Sequence, residues 1–201
     1  HNRGSAAVRA TPTLRPIDVL VLCTGNQCRS PMVEALLRDR LASRSVDAVV
    51  HSAGLLRDGV PASDGSVRAM AERGLDIAGH RSRVMTEDMV RDPDLIIGLA
   101  REHVREAAVL TDDGLARTFT LRELVRRAEV AGPRDADEPL DAYLARLGEG
   151  RRATDLIGPD DADDVADPMG GSRRRYERTA REVEALVDAV VAHLFPLPCS
   201  D

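Results

Sequence analysis

The stretch Asp18-Val-Leu-Val-Leu22-Cys23-Thr-Gly-Asn-Gln-Cys28-Arg29-Ser30-Pro31 joins a strand, a tight loop and a helix start in one short run. The unbroken apolar residues up to Leu22 suit a parallel strand buried on both faces. The residues from Cys23 to Ser30 are polar, and Pro31 suits a first helical turn, where its missing N–H is no loss. Met32, Val33, Leu36, Leu37 and Leu41 then recur at helical spacing.

The same alternation continues outward. Ala48 to Ser52 reads as a second strand, and Ser63 to Arg73 as a helix with Ser63 at its N-cap. Leu95 to Gly98 reads as a third strand, followed by a helix near Arg101–Leu110. Arg117 to Thr120 gives a fourth strand, with a helix from Leu121. Tyr176, Ala180, Val183, Val187, Val190 and Leu194 line one face of a long last helix. Strands alternating with helices predict an α/β fold, a parallel sheet with helices on both faces. Glu129 to Asp164 breaks this rhythm with charge, Pro and Gly, and its Leu140, Tyr143, Leu144 and Leu147 fit one short amphipathic helix. We therefore expect one domain over residues 17–197 with an insertion at about 129–164. Residues 1–16 read as a disordered tail, with His1–Ser5 as an expression remnant.

Composition narrows the class. A chain of 201 residues suits one domain, and 43% apolar residues suit a globular one. With 2% aromatics the core must be aliphatic. A net charge of −6 gives no basic stripe for nucleic acid. No apolar run approaches the roughly 20 residues that span a bilayer, and His1 to Pro16 offers no signal-peptide core. Three cysteines do not make a disulfide framework, so a reducing cytoplasm is expected. Cys23, Cys28 and the distant Cys199 also fall short of a four-ligand zinc site, and no metal or other cofactor is expected.

The loop carries the chemistry. It leaves the carboxyl end of the first strand and enters a helix, where open α/β sheets bind ligands. Loop amides and a helix N-terminus make an anion site. Five residues between Cys23 and Arg29 let the backbone curl around a phosphoryl group, with Arg29 gripping two oxygens through its planar fork. Gly25 and Asn26 tolerate the left-handed backbone that such a curl requires. The helix terminus and Arg29 favour Cys23 as a nucleophilic thiolate without a neighbouring His, and Ser30 can donate a hydrogen bond to it. A nucleotide-binding loop would need Gly-Lys-Ser/Thr here, and none follows.

Cys-Thr-Gly-Asn-Gln-Cys-Arg-Ser-Pro resembles the signature of the low-molecular-weight protein tyrosine phosphatases. The resemblance extends through Ser52-Ala-Gly54, Gly79-His-Arg-Ser-Arg83, Phe119-Thr-Leu-Arg-Glu123 and Asp167-Pro-Met-Gly-Gly-Ser172. It implies a flavodoxin-like sheet of order 2-1-3-4, hydrolysis of phosphotyrosine on proteins through a phosphocysteine intermediate, inorganic phosphate as product, and no metal. By this resemblance Cys23, Arg29 and Asp167 are the catalytic set, Asp167 giving a proton to the leaving oxygen and later taking one from water. Thr24, Gly25, Asn26, Gln27, Cys28 and Ser30 are the substrate-binding set. The resemblance also implies that His80 buttresses the loop through Asn26 and Ser30, and that Cys28 can trap an oxidised Cys23 as a disulfide. Asp163 and Asp164 read as solvated loop acids, and Arg173-Arg-Arg175 as a solvated helix start.

The pattern departs from the family at the substrate wall. Met169 and Gly170 follow Asp167-Pro168 where tyrosine-directed members carry aromatics, and Leu55 to Gly59 also lacks one. Thr24 and the Gly-Gly-Ser motif look like the bacterial branch that includes protein arginine phosphatases. That branch has Thr at the position of Gln27, tyrosine-directed members an apolar residue, and Gln27 matches neither. Protein arginine phosphatase is therefore the alternative activity. An arsenate reductase would need further cysteines after the third helix, where residues 80–90 have none. A phosphate-binding module without catalysis would not need Cys23 and Asp167 together.

Overall fold

The computed structural model describes residues 15–197; most of the expected tail, and Cys199, lie outside that range. Strands β1 (Ile17–Leu22), β2 (Ala48–Ala53), β3 (Leu95–Gly98) and β4 (Thr118–Thr120) form one sheet of order β2-β1-β3-β4, every pair parallel. This is the expected fold. β4 starts one residue late because Gly114–Arg117 closes a helical turn before it.

The helices are α1 (Arg29–Ser43), α2 (Asp64–Ala71), α3 (Glu87–Arg91), α4 (Arg101–Ala108), α5 (Gly114–Arg117), α6 (Leu121–Ala131), α7 (Leu140–Leu147) and α8 (Arg173–Leu194). The strand period of two splits β1 between two cores. Val19 and Val21 face α1, α6 and α8 together with Leu36, Leu124 and Val187. Leu20 and Leu22 face the other way, with Ile96, Val90 and Ala107. Each fully buried Val, Leu or Ile among them contributes roughly 1.5–3 kcal/mol relative to exposure. Ser63, Thr120 and Ser172 cap α2, α6 and α8 by accepting a hydrogen bond from an amide three residues on.

Between α6 and α8 the chain is tied to the domain by buried groups. Tyr143 of α7 is fully buried and donates to the Gly132 carbonyl. Arg151 lies over the Phe119 ring and pairs with the buried Glu123.

At the carboxyl edge of β1 and β2, Gly54 allows the loop after β1 to lie against the chain. A Cβ there would stand 2.8 Å from the Asn26 amide nitrogen and 2.9 Å from the Thr24 oxygen, closer than real contacts allow.

Candidate active site

Cys23 closes β1, its amide donating to the Ala53 carbonyl. From there the loop curls as expected, but only Asn26 takes the left-handed conformation, at φ 50°. Of the two permissive residues, Gly25 does not. One such residue suffices because the loop's carbonyls are pulled outward. The oxygens of Thr24, Asn26 and Gln27 accept from Leu55 N, His80 Nε2 and Ser63 N. The amides of Thr24 to Cys28 donate to no group among the described residues, and they lie between Cys23 and the start of α1. Backbone donors gathered at a helix start are an anion seat.

Hydrogen-bond directions around Asn26 are forced. The amide N–H of Arg83 can only donate, so Asn26 Oδ1 accepts from it at 2.9 Å. That fixes Asn26 Nδ2 as donor to both Ser30 Oγ (2.9 Å) and Ser52 Oγ (2.8 Å). Ser52 in turn donates to the Glu34 carboxylate. Ser30 Oγ also lies 3.0 Å from Cys23 Sγ, and when Cys23 is the thiolate, which can only accept, the hydroxyl donates to it. A hydroxyl donating to sulfur stabilises the thiolate, both as nucleophile and as leaving group. His80 meets the Asn26 carbonyl alone, at 2.7 Å, and reaches Ser30 only through that residue.

Arg29 is buried at the root of the loop. Its Nη1 donates to the Val165 carbonyl, its Nη2 to Asp167 Oδ2 at 2.8 Å and to Thr24 Oγ1 at 3.3 Å. Its Nε is buried with no partner among the described residues, a donor edge left for an oxyanion. Asp167 is half-exposed and accepts from Met169 N through Oδ1. The structure therefore brings Cys23, Arg29 and Asp167 to one place from β1, α1 and the loop before α8.

Asp163 and Asp164 are not solvated, contrary to the sequence reading. Asp163 is only 4% exposed and ion-pairs with Arg101 and Arg126. Burial alone would raise its carboxyl, but the two guanidinium groups outweigh it and hold Asp163 below the ordinary carboxylate range. Asp164 accepts from the Arg101 amide. These acids anchor the segment that presents Asp167. Arg173 to Arg175 are exposed at the start of α8, as expected, and Arg173 forms a surface ion pair with Glu72.

Cys28 Sγ faces Ser63 Oγ at 3.1 Å, Tyr176 Oη at 3.7 Å and Met169 Sδ at 3.9 Å. Burial raises its pKa despite the hydrogen bond with Ser63, so it stays a neutral thiol. Gln27 is half-buried on the loop, with the largely exposed Leu56 and Met169 beyond it. Among the described residues no cluster of His, Cys, Asp or Glu could hold a metal, and no helix is long and apolar enough to cross a membrane.

Sequence reading did not single out Glu34, Arg83 or His103. Glu34 lies four residues after Ser30 on α1, on the same helix face, and that spacing was the available signal. Arg83 and His103 reach the loop only through the fold.

The family model of the low molecular weight phosphotyrosine protein phosphatases matches residues 18–150. The low molecular weight protein-tyrosine-phosphatase Etp of Escherichia coli K12 is 33% identical over 137 residues, 66% of this chain and 90% of its own length. The protein-arginine-phosphatase of Bacillus subtilis is 26% identical over 89% of this chain and 97% of its own. A solved structure of a cysteine-to-serine mutant of the YwlE arginine phosphatase with a phosphorylated active-site serine is 25% identical. It aligns with a TM-score of 0.67 over 90% of this chain and 97% of its own.

Proposed function

The chain belongs to the low molecular weight phosphotyrosine protein phosphatase family, and from that premise we propose that it hydrolyses phosphotyrosine on proteins through a phosphocysteine on Cys23. The observation that carries this reading is the Cys23 sulfur, 3.0 Å from the Ser30 hydroxyl, at the head of a loop of unpartnered amides that ends at the buried Arg29. The thiolate attacks phosphorus as the ester P–O bond breaks, and Asp167 gives the leaving oxygen its proton. Thr24 to Cys28 supply the amides, Arg29 holds two phosphoryl oxygens, and Ser30 steadies the sulfur. Water then attacks phosphorus, Asp167 takes its proton, and inorganic phosphate leaves with the thiolate restored. The need for a reduced Cys23 supports a cytoplasmic location. Residues 17–197 act as one phosphatase domain carrying the insertion at 129–164. The related phosphoserine-bearing mutant, with its phosphoryl group on the residue that replaces cysteine, supports the covalent step.

Phosphoarginine is the second reading, favoured by the exposed Met169 where an aromatic wall would stand and by the arginine phosphatase that aligns over most of the chain. Turnover of phosphotyrosine and phosphoarginine peptides by the same preparation decides between them. A higher kcat/KM on phosphoarginine would overturn the first reading. Gln27→Thr should shift the ratio toward phosphoarginine and Gln27→Ile toward phosphotyrosine. If neither moves it by more than about twofold (roughly 0.4 kcal/mol), Gln27 is not the selector.

Cys28 guards the nucleophile. Peroxide converts Cys23 to a sulfenic acid, which condenses with the Cys28 thiol and releases water. Activity lost to brief peroxide should return with a thiol reductant in the unmodified protein but not in Cys28→Ser. Equal recovery of both would count against the disulfide.

A further inference from the structure

His103 is a buried titratable group to which the phosphate chemistry above gives no task. It stands in the first turn of α4, at the carboxyl edge of β3, with none of its surface exposed. Gly98 makes room for it, since a Cβ at that position would come within 3.1 Å of His103 Cβ. The ring's Nε2 lies 3.0 Å from Thr24 Oγ1, and its Nδ1 is buried with no partner among the described residues. Thr24 is the first residue of the phosphate loop, and its hydroxyl also lies 3.3 Å from Arg29 Nη2.

These contacts select one tautomer. Burial, and then the Arg29 charge, lower the His103 pKa to about 3, so the ring is neutral and carries one proton. With that proton on Nδ1, a buried N–H would have no acceptor, the rarer and costlier kind of orphan. With it on Nε2, the ring donates to Thr24 Oγ1 and leaves only a bare acceptor at Nδ1. Thr24 Oγ1 then accepts twice, from His103 and from Arg29, which can only donate. Both its lone pairs are taken, and its own proton must go to a third acceptor.

We propose that His103 is a positioning residue of the phosphatase site, which by donating to Thr24 turns the threonine hydroxyl proton toward the bound phosphoryl group. Thr24 thereby adds a side-chain donor to the loop amides and braces the Arg29 guanidinium. The proposal rests on the phosphatase reading, because the third acceptor is the phosphoryl oxygen.

Long-range proton–nitrogen NMR of the full chain with inorganic phosphate reads the tautomer directly. His103 should carry its proton on Nε2 and show no titration from about pH 5 to about pH 8, unlike an ordinary histidine. His103→Leu should lower kcat for p-nitrophenyl phosphate and raise the phosphate inhibition constant, each by about tenfold, the size of one hydrogen bond. His103→Gln, whose amide can donate to Thr24, should recover most of that loss. Thr24→Val should cost about as much as His103→Leu, and the pair no more than either alone. An Nδ1 proton, additive losses, or wild-type constants in folded His103→Leu would each overturn the proposal. If His103→Leu does not fold, the NMR spectrum and the His103→Gln and Thr24→Val constants still decide. The spectrum needs no turnover, so failure of the phosphatase reading appears separately, as absent or Cys23-independent hydrolysis.

Discussion

Cys23→Ser should lose on the order of 10³-fold or more in turnover of p-nitrophenyl phosphate, because a serine hydroxyl is a weak nucleophile without an adjacent base. The hydrogen-bond partner of the sulfur is Ser30 Oγ, a hydroxyl and not a base. The loop should survive the change, since its curl depends on Asn26, His80, Ser63 and Leu55 and not on sulfur. Phosphate binding should therefore persist, measured by protection against thermal unfolding at graded phosphate concentrations. A variant that retained a tenth of the activity would rule out covalent catalysis by Cys23.

Asp167→Asn keeps the shape of the side chain but has no proton to give, so the leaving oxygen must depart as an anion. Alkyl and unactivated phenyl phosphates should lose on the order of 10²–10⁴-fold in rate. p-Nitrophenyl phosphate, whose leaving group departs more easily unaided, should lose less. Equal losses for good and poor leaving groups would place the proton elsewhere. Asp163 is a poor proton donor: Arg101 and Arg126 keep it ionised and pinned to the scaffold.

The sheet and the phosphate loop were legible in the sequence because each is written in contiguous residues. Val19 to Leu22 states a buried strand, Cys23 to Pro31 states the loop, and strand–helix alternation states the parallel order. What failed depended on contacts between distant residues. Asp163 looks like a loop acid until Arg101 and Arg126 arrive from α4 and α6. Glu34 looks like an exposed helix residue until β2 brings Ser52 to it. His103 falls 79 positions after Thr24, and only the pairing of β1 with β3 places them together. Glycine and asparagine are both permissive, so composition could not say which would take the left-handed turn. The outward pull on the Asn26 carbonyl, and the three partners of its side chain, accompany that turn at position 26.

The contact between Arg29 and Asp167 gives the pocket an anion of its own. A carboxylate tethered a few ångströms away acts at an effective concentration far above that of any free anion of modest affinity. On the proposed chemistry, a phosphoryl group that takes the edge of the guanidinium held by Asp167 displaces this carboxyl, which is then free to face the leaving oxygen. The product phosphate would in turn compete with the same carboxylate for Arg29, so the chain would help to clear its own pocket.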